Sequence, residues 1–374
     1  MNRGFYLTLK MGSVIPRAVP KDVIESLTEV QVTSAASSQS GFQLKFTLGK
    51  NSAISRNYLP SGFFDPRTRV IIVATVNGAA HVLMDGVITK QDVTASNEPG
   101  QAALTITGMD LSVLMDFIDL TGFPYASLPF GARVALILAK YAVFGIIPIV
   151  VPTLLSFVKN PLESIAKHQG TDLNYINSLG QQCGYVFYID PGPKPGISRA
   201  YWGPEIRFGA SQPALSIDMD AATNVESLNF SYDGLSNKLL LVQIQEKRTK
   251  IPIPVPIPPL NPLKPPLAAK LATVMKSQVL RDTAKKDWAE AACNALSTLA
   301  NAADAVSANG QLDVLRYGQV IKPRQLISVR GAGLTEDGLY FVKSVTHNIK
   351  IGEYKQSFSL VRGGVKSSIS RVRV

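Results

Sequence analysis

The chain has 374 residues, 46% of them hydrophobic, so it can bury sizeable cores in two or three domains. Two cysteines are too few for a disulfide framework. The formal net charge is +11, and the C-terminal stretch "VRGGVKSSISRVRV" holds Arg362, Lys366, Arg371 and Arg373 with no acid; it reads as a basic arm for an anionic partner or as a solvated tail.

The N-terminal segment lacks the apolar core of a secretory signal, so synthesis in a bacterial cytoplasm without a signal peptide is expected. The first hundred residues read as strands. "GFQLKFTLG" alternates, with Phe42, Leu44, Phe46 and Leu48 on one face. "RTRVIIVATVNGAAHVLMDGVITKQDVTAS" reads as a hairpin turning at Asn77-Gly78, with Gly86 marking a bulge or sharp bend. "GQAALTITGMD" adds a strand, and an antiparallel sheet closed into a barrel is expected.

From Asp110 to Gly184 the pattern turns helical, with helices expected in "MDLSVLMDFI", "FGARVALILAKYA", "PLESIAKHQ" and a fourth segment over about 172–183. "FGIIPIVV" reads as extended. Lys140, Pro148 and Pro152 interrupt the most apolar run below the ~20 residues that a spanning helix needs, so integral membrane insertion is not expected. The fourth helix has Thr171 as N-cap, Leu173, Ile176 and Leu179 on one face, and Gly184 as stop. His168, Cys183 and Asp190 surround it. A helix of that length, ~18 Å at 1.5 Å per residue, holds His168 and Cys183 apart, and Cys183 lies at the negative helix end. A thiol triad is therefore not expected, and Cys183 reads as a buried packing residue beside Tyr185 and Phe187.

Strands return in "YVFYID", "ALSIDMD", "NVESLNFSYDG" and "NKLLLVQIQEKRT". "KIPIPVPIPPLNPLKPP" carries eight prolines between Ile251 and Pro266, which excludes a central strand and suggests a stiff surface arm. An alanine-rich helix is expected over "DTAKKDWAEAACNALSTLANAADAVS", with Trp288, Ala292, Leu296, Leu299 and Ala303 as its apolar stripe beside Cys293. "PRQLISVRGAG", "GLYFVKSVTHNIKIG" and "YKQSFSLVRGG" close the chain as strands; strict alternation places His347 on one face with Phe341 and Val345. His81, His168 and His347 stand apart without metal-site spacing, and no phosphate-loop, dinucleotide or nucleophile-elbow motif occurs. Asp218 and Asp220 share a strand face in "SIDMD", a spacing within glycosidase range.

Three segments carry a family resemblance. "TDLNYINSLGQQCGYVFYID" resembles the helix–strand signature of phage late control protein D and of the N-terminal hub part of type VI secretion VgrG spike proteins. "VLMDGVITKQDVTA" with "AALTITGMDLSVLMD" is similar to the family's N-terminal hairpin, with its Asp-Gly and later Gly-x-Asp. "DGLYFVKSVTHNIKIGEYKQSFSLVR" resembles its C-terminal signature. The resemblance implies a contractile-tail baseplate hub, located in a virion or injection-particle baseplate. Its fold class is α+β, mainly β: two tube-like antiparallel β-barrel domains with helical insertions. The expected division is a first barrel in 1–110, an insertion in 111–184, a second barrel from 185–250 and 310–374, and the proline arm with the long helix in 251–309. Implied partners are two further copies (a homotrimer), a tail tube protein, a separate trimeric spike protein, other baseplate components, and DNA or cargo in a lumen; no cofactor is implied. Thr171, Asp172 and Tyr175 match positions that the family uses architecturally. A tail-associated cell-wall hydrolase and an anionic-polymer-binding structural protein stay open as alternatives, as do phage tail, tailocin and extracellular injection system.

Overall fold

The computed structural model describes residues 4–13, 15–49, 51–96, 102–125, 128–153, 166–245, 252–257, 264–280, 295, 297–300, 302 and 304–368. Its frame is one large thirteen-stranded sheet, made of two six-stranded units and a two-residue strand (Arg17–Ala18) beside the first strand. The first unit contains β1 (Phe5–Gly12), β2 (Leu27–Ala35), β3 (Gly41–Thr47), β4 (Arg69–Val76), β5 (Ala79–Thr94) and β6 (Ala103–Asp110). Its strands lie in the order β1-β4-β5-β6-β3-β2, all antiparallel. The alternation read in β3 holds, with Phe42, Leu44 and Phe46 buried and Gln43, Lys45 and Thr47 exposed. The β4–β5 turn is Asn77-Gly78, both at positive φ (50° and 86°), the backbone that a two-residue hairpin requires.

Gly86 is not the bulge. The register slips on either side of it, between Ile72 and Val73 of β4 and between Ile88 and Lys90 of β5. Gly86 instead allows close approach: a Cβ there would lie 2.2 Å from the Met109 carbonyl oxygen, and one on Gly108 would lie 2.2 Å from the Phe42 ring. The Phe42 ring fills the space that both missing side chains leave.

An inserted layer follows. A 3-10 turn (Leu111–Asp116) leads to α1 (Phe130–Ala139), β7 (Ile146–Val150), α2 (Asp172–Cys183), β8 (Val186–Pro191) and β9 (Ser198–Gly203). β9 is the middle strand, antiparallel to β8 and parallel to β7. Helices and sheet enclose a core of Ile137, Leu138, Ile176, Leu179, Phe187 and Trp202. α2 starts and stops as its sequence dictates: Thr171 Oγ1 accepts from Asn174 N, and Gly184 ends the helix at φ 70°. The helix expected in "PLESIAKHQ" falls mostly outside the described residues. Its tail, Ala166–Lys167, is a strand paired with Pro124–Tyr125.

The second unit contains β10 (Ser211–Ser216) and β11 (Ser227–Tyr232). A side sheet interrupts it, made of β12 (Lys238–Gln245), β13 (Pro252–Ile257) and β14 (Lys276–Leu280). The unit resumes with β15 (Val306–Asp313), β16 (Leu326–Arg330), β17 (Gly338–Lys350) and β18 (Glu353–Arg362). Its strands lie in the order β10-β16-β17-β18-β15-β11. Counted within each unit, both orders are 1-4-5-6-3-2. A helical turn follows the third strand of each, Ile54–Tyr58 and Val314–Tyr317. The two differ at one edge: β1 meets β4 antiparallel, whereas β10 meets β16 parallel.

The units join through β2 and β17, with Ser344 opposite Ala35 and Lys350 opposite Glu29. Their apolar faces form one continuous core, from Leu9 and Phe64 to Leu228 and Tyr340. Closed barrels were expected. Among the described residues no ladder joins β1 to β2 or β10 to β11, so the hydrogen bonds describe one open sheet. Asn224, in the connection before β11, bonds back to β10, accepting from Ser216 N and donating to the Ala214 carbonyl.

Three further expectations change. Part of the proline arm is a strand: β13 pairs with β12 at the edge of the side sheet. Pro252, Pro254 and Pro256 occupy alternate positions, so their missing donors all point away from β12 while Ile253, Val255 and Ile257 carry the ladder. The alanine-rich helix lies largely outside the described residues. Of its stripe Leu299 is described, and it is buried; the chain is already extended at Val306, because Val306, Ala308 and Leu312 alternate into the core. Finally, an extra residue at Lys343 shifts the β17 register against β18. Tyr340 and Val342 face the main core before it, and Val345 and Ile349 after it, so Phe341 points to the other side and does not share a face with His347.

Candidate functional site

The reactive-looking residues of the middle segment are dispersed and structurally engaged. His168 is fully buried, its Nδ1 3.1 Å from Tyr125 OH and its ring 4.4 Å from that of Tyr175. Its Nε2 faces Asp172 Oδ1 at 3.6 Å. Asp172, buried at the start of α2, accepts from Lys140 Nζ at 2.5 Å and from Tyr141 OH at 2.7 Å, which ties α1 to α2. Burial, and then the same bond to the Asp172 carboxylate, raise the Tyr141 pKa. Cys183 is half-buried rather than fully buried, at the helix end against the inserted core. Asp190 accepts from Arg324 (2.7 Å) and Arg199 (3.0 Å). Arg324, stacked 4.1 Å over Tyr188, also donates to the Ala35 carbonyl, so the set clamps the inserted sheet onto β2.

The signature residues do similar work. Asp85 makes a bidentate pair with Arg69, both bonds 2.7 Å and both side chains buried, and Ser198 Oγ reaches it from the inserted layer. Asp110 accepts from Ser40 N (2.7 Å) and Ser112 N (2.9 Å), and burial pushes its carboxyl above the ordinary range. Asp337 Oδ1 accepts from Ala332 N. His347 is buried, with Nδ1 2.8 Å from Tyr354 OH and 3.3 Å from Gln356 Nε2. An amide nitrogen can only donate, so Nδ1 accepts and the ring is neutral. Burial, with the charge of His81, lowers its pKa to about 3.

The basic arm is overturned at Arg362. This guanidinium is fully buried, donating to the carbonyls of Asp337 (3.0 Å) and Thr335, and lies 4.4 Å over the Tyr340 ring. Sequence placed it in a tail; the β18 ladder places it in the core. Lys366 is exposed on a short strand (Gly364–Ser367) paired with Ala268–Leu271. Arg371 and Arg373 lie outside the described residues. Asp218 and Asp220 follow β10 in a turn, both at positive φ (50° and 46°), and do not share a strand face. Among the described residues no group of three His, Cys, Asp or Glu could hold a metal, and no helix is long and apolar enough to cross a membrane.

What the fold does assemble is a broad polar sheet face, opposite the apolar core. Cross-strand register aligns Ser227, Gln311, Ser357, Thr346 and Thr33 in one row. The next row holds Lys355, Asn348, Gln31, Gln43 and Thr107, and a third holds Glu353, Lys350, Glu29, Lys45 and Thr105. The hydroxyls of Thr33 and Thr346 lie 3.0 Å apart, and Gln31 donates to Asn348 at 3.2 Å. Six charges on this face are paired: Lys350–Glu29 at 3.6 Å, Lys355–Glu226 at 3.1 Å and Lys90–Asp92 at 2.9 Å. The face is therefore polar with charges of both signs, and the basic excess of the chain is not gathered on it. Sequence reading missed this surface because its rows join strands from opposite ends of the chain.

No protein-family model and no curated protein matches the chain. Solved structures do. A tail protein from Neisseria meningitidis MC58 aligns over 97% of this chain and 98% of its own, with TM-score 0.61 and 12% identity. The 43 kDa tail protein of prophage MuSo2 from Shewanella oneidensis aligns over 96% and 98%, with TM-score 0.60 and 12% identity. An Escherichia coli protein described as a component of the type VI secretion system covers 93% of this chain and 78% of its own, with TM-score 0.53 and 11% identity. The chain has the fold of these tail proteins and of this type VI secretion system component, the likeness that its three signature segments implied.

Proposed function

We propose that this protein is the central hub of a contractile tail or injection baseplate, a homotrimer that adapts a sixfold tail tube to a threefold spike. The observation that carries the reading is the duplicated strand order: one chain supplies two units of the same 1-4-5-6-3-2 topology, joined edge to edge. Three such chains present six near-equivalent units to a sixfold tube while keeping threefold symmetry for a spike. Each unit then curves as a tube-like barrel segment, and the polar face lines a lumen. Rows of Ser, Thr, Asn and Gln with charges of both signs hold water and offer no strong grip to DNA or protein cargo. In this role the chain carries no catalytic step, and the turn that separates Asp218 from Asp220 weakens the hydrolase alternative.

Light scattering of the purified protein, alone and with its spike, tests the reading. At 40.3 kDa per chain, a closed trimer has a mass of about 120 kDa. A monomer at every concentration, with spike present, removes the adaptor function.

A further inference from the structure

A cleft of about 450 Å³ lies between α2 of the inserted layer and the turn that joins β2 to β3. One wall is a single stripe of α2: Asn174, Asn177, Ser178 and Gln181, at the spacing of one helix face. The opposite wall is the turn Ser37-Ser38-Gln39. Asp110 and Ser112, both buried, line the interior, and so do the buried Leu173 and Phe187. The two walls do not bridge. Among the described residues, the side chains of Asn174, Asn177 and Gln181 and the hydroxyls of Ser37 and Ser38 make no hydrogen bond. Gln39 instead donates to Ser112 at 3.0 Å, and Ser178 donates to the Tyr175 carbonyl at 2.8 Å. The backbone that carries these groups is held in place. Asp110 accepts from Ser40 N and Ser112 N, which pins the β2–β3 turn to the 3-10 turn, and Asp172 ties the start of α2 to α1.

The lining excludes several classes of ligand. No Lys, Arg, His or Glu contributes to it, in a chain of net charge +11, so a phosphate or an acidic peptide finds no counter-charge. Asp110 is its one carboxylate, and backbone N–H groups already engage both oxygens, so it makes a poor seat for a cation. Arg324, stacked over Tyr188 at one side, is held by Asp190. An apolar ligand would leave the amides without partners. A neutral molecule dense in hydroxyls is what remains. Each amide offers a donor and an acceptor, matching a hydroxyl that gives one hydrogen bond and takes another, while Leu173 and Phe187 suit the C–H groups of a ring. The volume falls within the roughly 300–1,000 Å³ of small-molecule sites.

We propose that this cleft binds a neutral saccharide, with Asn174, Asn177 and Gln181 holding its hydroxyls from one side and Ser37 and Ser38 from the other. The proposal does not depend on the hub reading.

Saturation-transfer NMR on the full chain tests it. The probes are a panel of neutral hexose and N-acetylhexosamine disaccharides, with inorganic phosphate and glucuronate as charged controls. At least one neutral disaccharide is expected to bind with millimolar or tighter affinity, and neither control to bind. Asn177→Ala and Gln181→Ala lie at half-buried and exposed helix positions that alanine tolerates. Each is expected to weaken the binding at least tenfold without moving the thermal midpoint. Ser38→Trp, on the exposed turn, fills the cleft and is expected to abolish binding. Retention on an insoluble glycan of the same sugar, released by the free disaccharide, assigns the site to a glycan chain. Binding without retention assigns it to free sugar, and both outcomes support the saccharide chemistry. No response to any disaccharide of the panel overturns the proposal, as does binding that survives all three substitutions, or binding of phosphate in preference. Loss of spike binding by the same variants, with no saccharide response, marks a protein contact and also overturns it. The mass from light scattering reports on the hub reading separately.

Discussion

Thr33 and Thr346, 313 positions apart in the chain, meet across the strand pair that joins the two units, with their hydroxyls 3.0 Å apart. This contact sits on the polar face, directly behind a continuous apolar core. Replacing the hydroxyl in Thr346→Val is expected to cost less than about 1 kcal/mol, as exposed cross-strand pairs do. Val32→Ala, one residue along and fully buried, is expected to cost about 2 kcal/mol. Because one core spans both units, calorimetry should show a single transition for them in both variants. A separate, earlier transition of one unit would contradict the shared core.

Asp172 ties α1 to α2 through Lys140 and Tyr141. Asp172→Asn keeps the shape and removes the charge that both donors seek. The expected loss is about 1.5–3 kcal/mol, the range for hydrogen bonds to a charged group. Chemical denaturation monitored at Trp202, which packs in the same inserted core, should report it. Asp190→Asn, by contrast, weakens the clamp onto β2 and should move interfacial mobility, read by hydrogen exchange at Ala35 and Arg324, more than the midpoint.

His347 gives a pH dependence with a definite sign. Burial lowers its folded pKa to about 3 from 6.5, so the unfolded chain takes up a proton that the folded chain refuses. Its contribution is fully present above pH 6.5 and is lost as the pH falls toward 3. The slope in that window is about 1.4 kcal/mol per pH unit, the value for one proton taken up on unfolding. In His347→Gln this one-proton component of the stability profile between pH 4 and 6 should vanish. An unchanged slope would mean that His347 is not buried neutral.

Arg362 and Lys366 look alike in sequence and should behave oppositely. Arg362→Ala removes the donor to the Asp337 and Thr335 carbonyls and empties a fully buried position over the Tyr340 ring, and a loss of about 3 kcal/mol is expected. Lys366→Ala, on an exposed side chain, should stay within about 0.5 kcal/mol. Thermal melts separate them. If Arg362→Ala melts with the wild type and selectively loses binding to an anionic polymer, the core assignment of Arg362 is wrong.

Sequence by itself determined whatever is decided within a few residues. The span and caps of α2 follow from Thr171, the apolar spacing and Gly184, because a helix closes its own hydrogen bonds. The β4–β5 hairpin follows from Asn77-Gly78, because positive φ is a local property of those residues. The alternation of β3 follows from burial on one face of a strand. Only the tertiary structure decided that two units share one strand order, since β2 and β17 are partners chosen by ladders that span most of the chain. A single extra residue at Lys343 then reversed which side chains face inward, and that parity cannot be read from alternation alone. It also took Arg362 from an apparent tail into the core: a charged side chain can be buried only where polar partners converge on it, and here two carbonyls and an aromatic face come from Thr335, Asp337 and Tyr340 on the neighbouring strand and its turn.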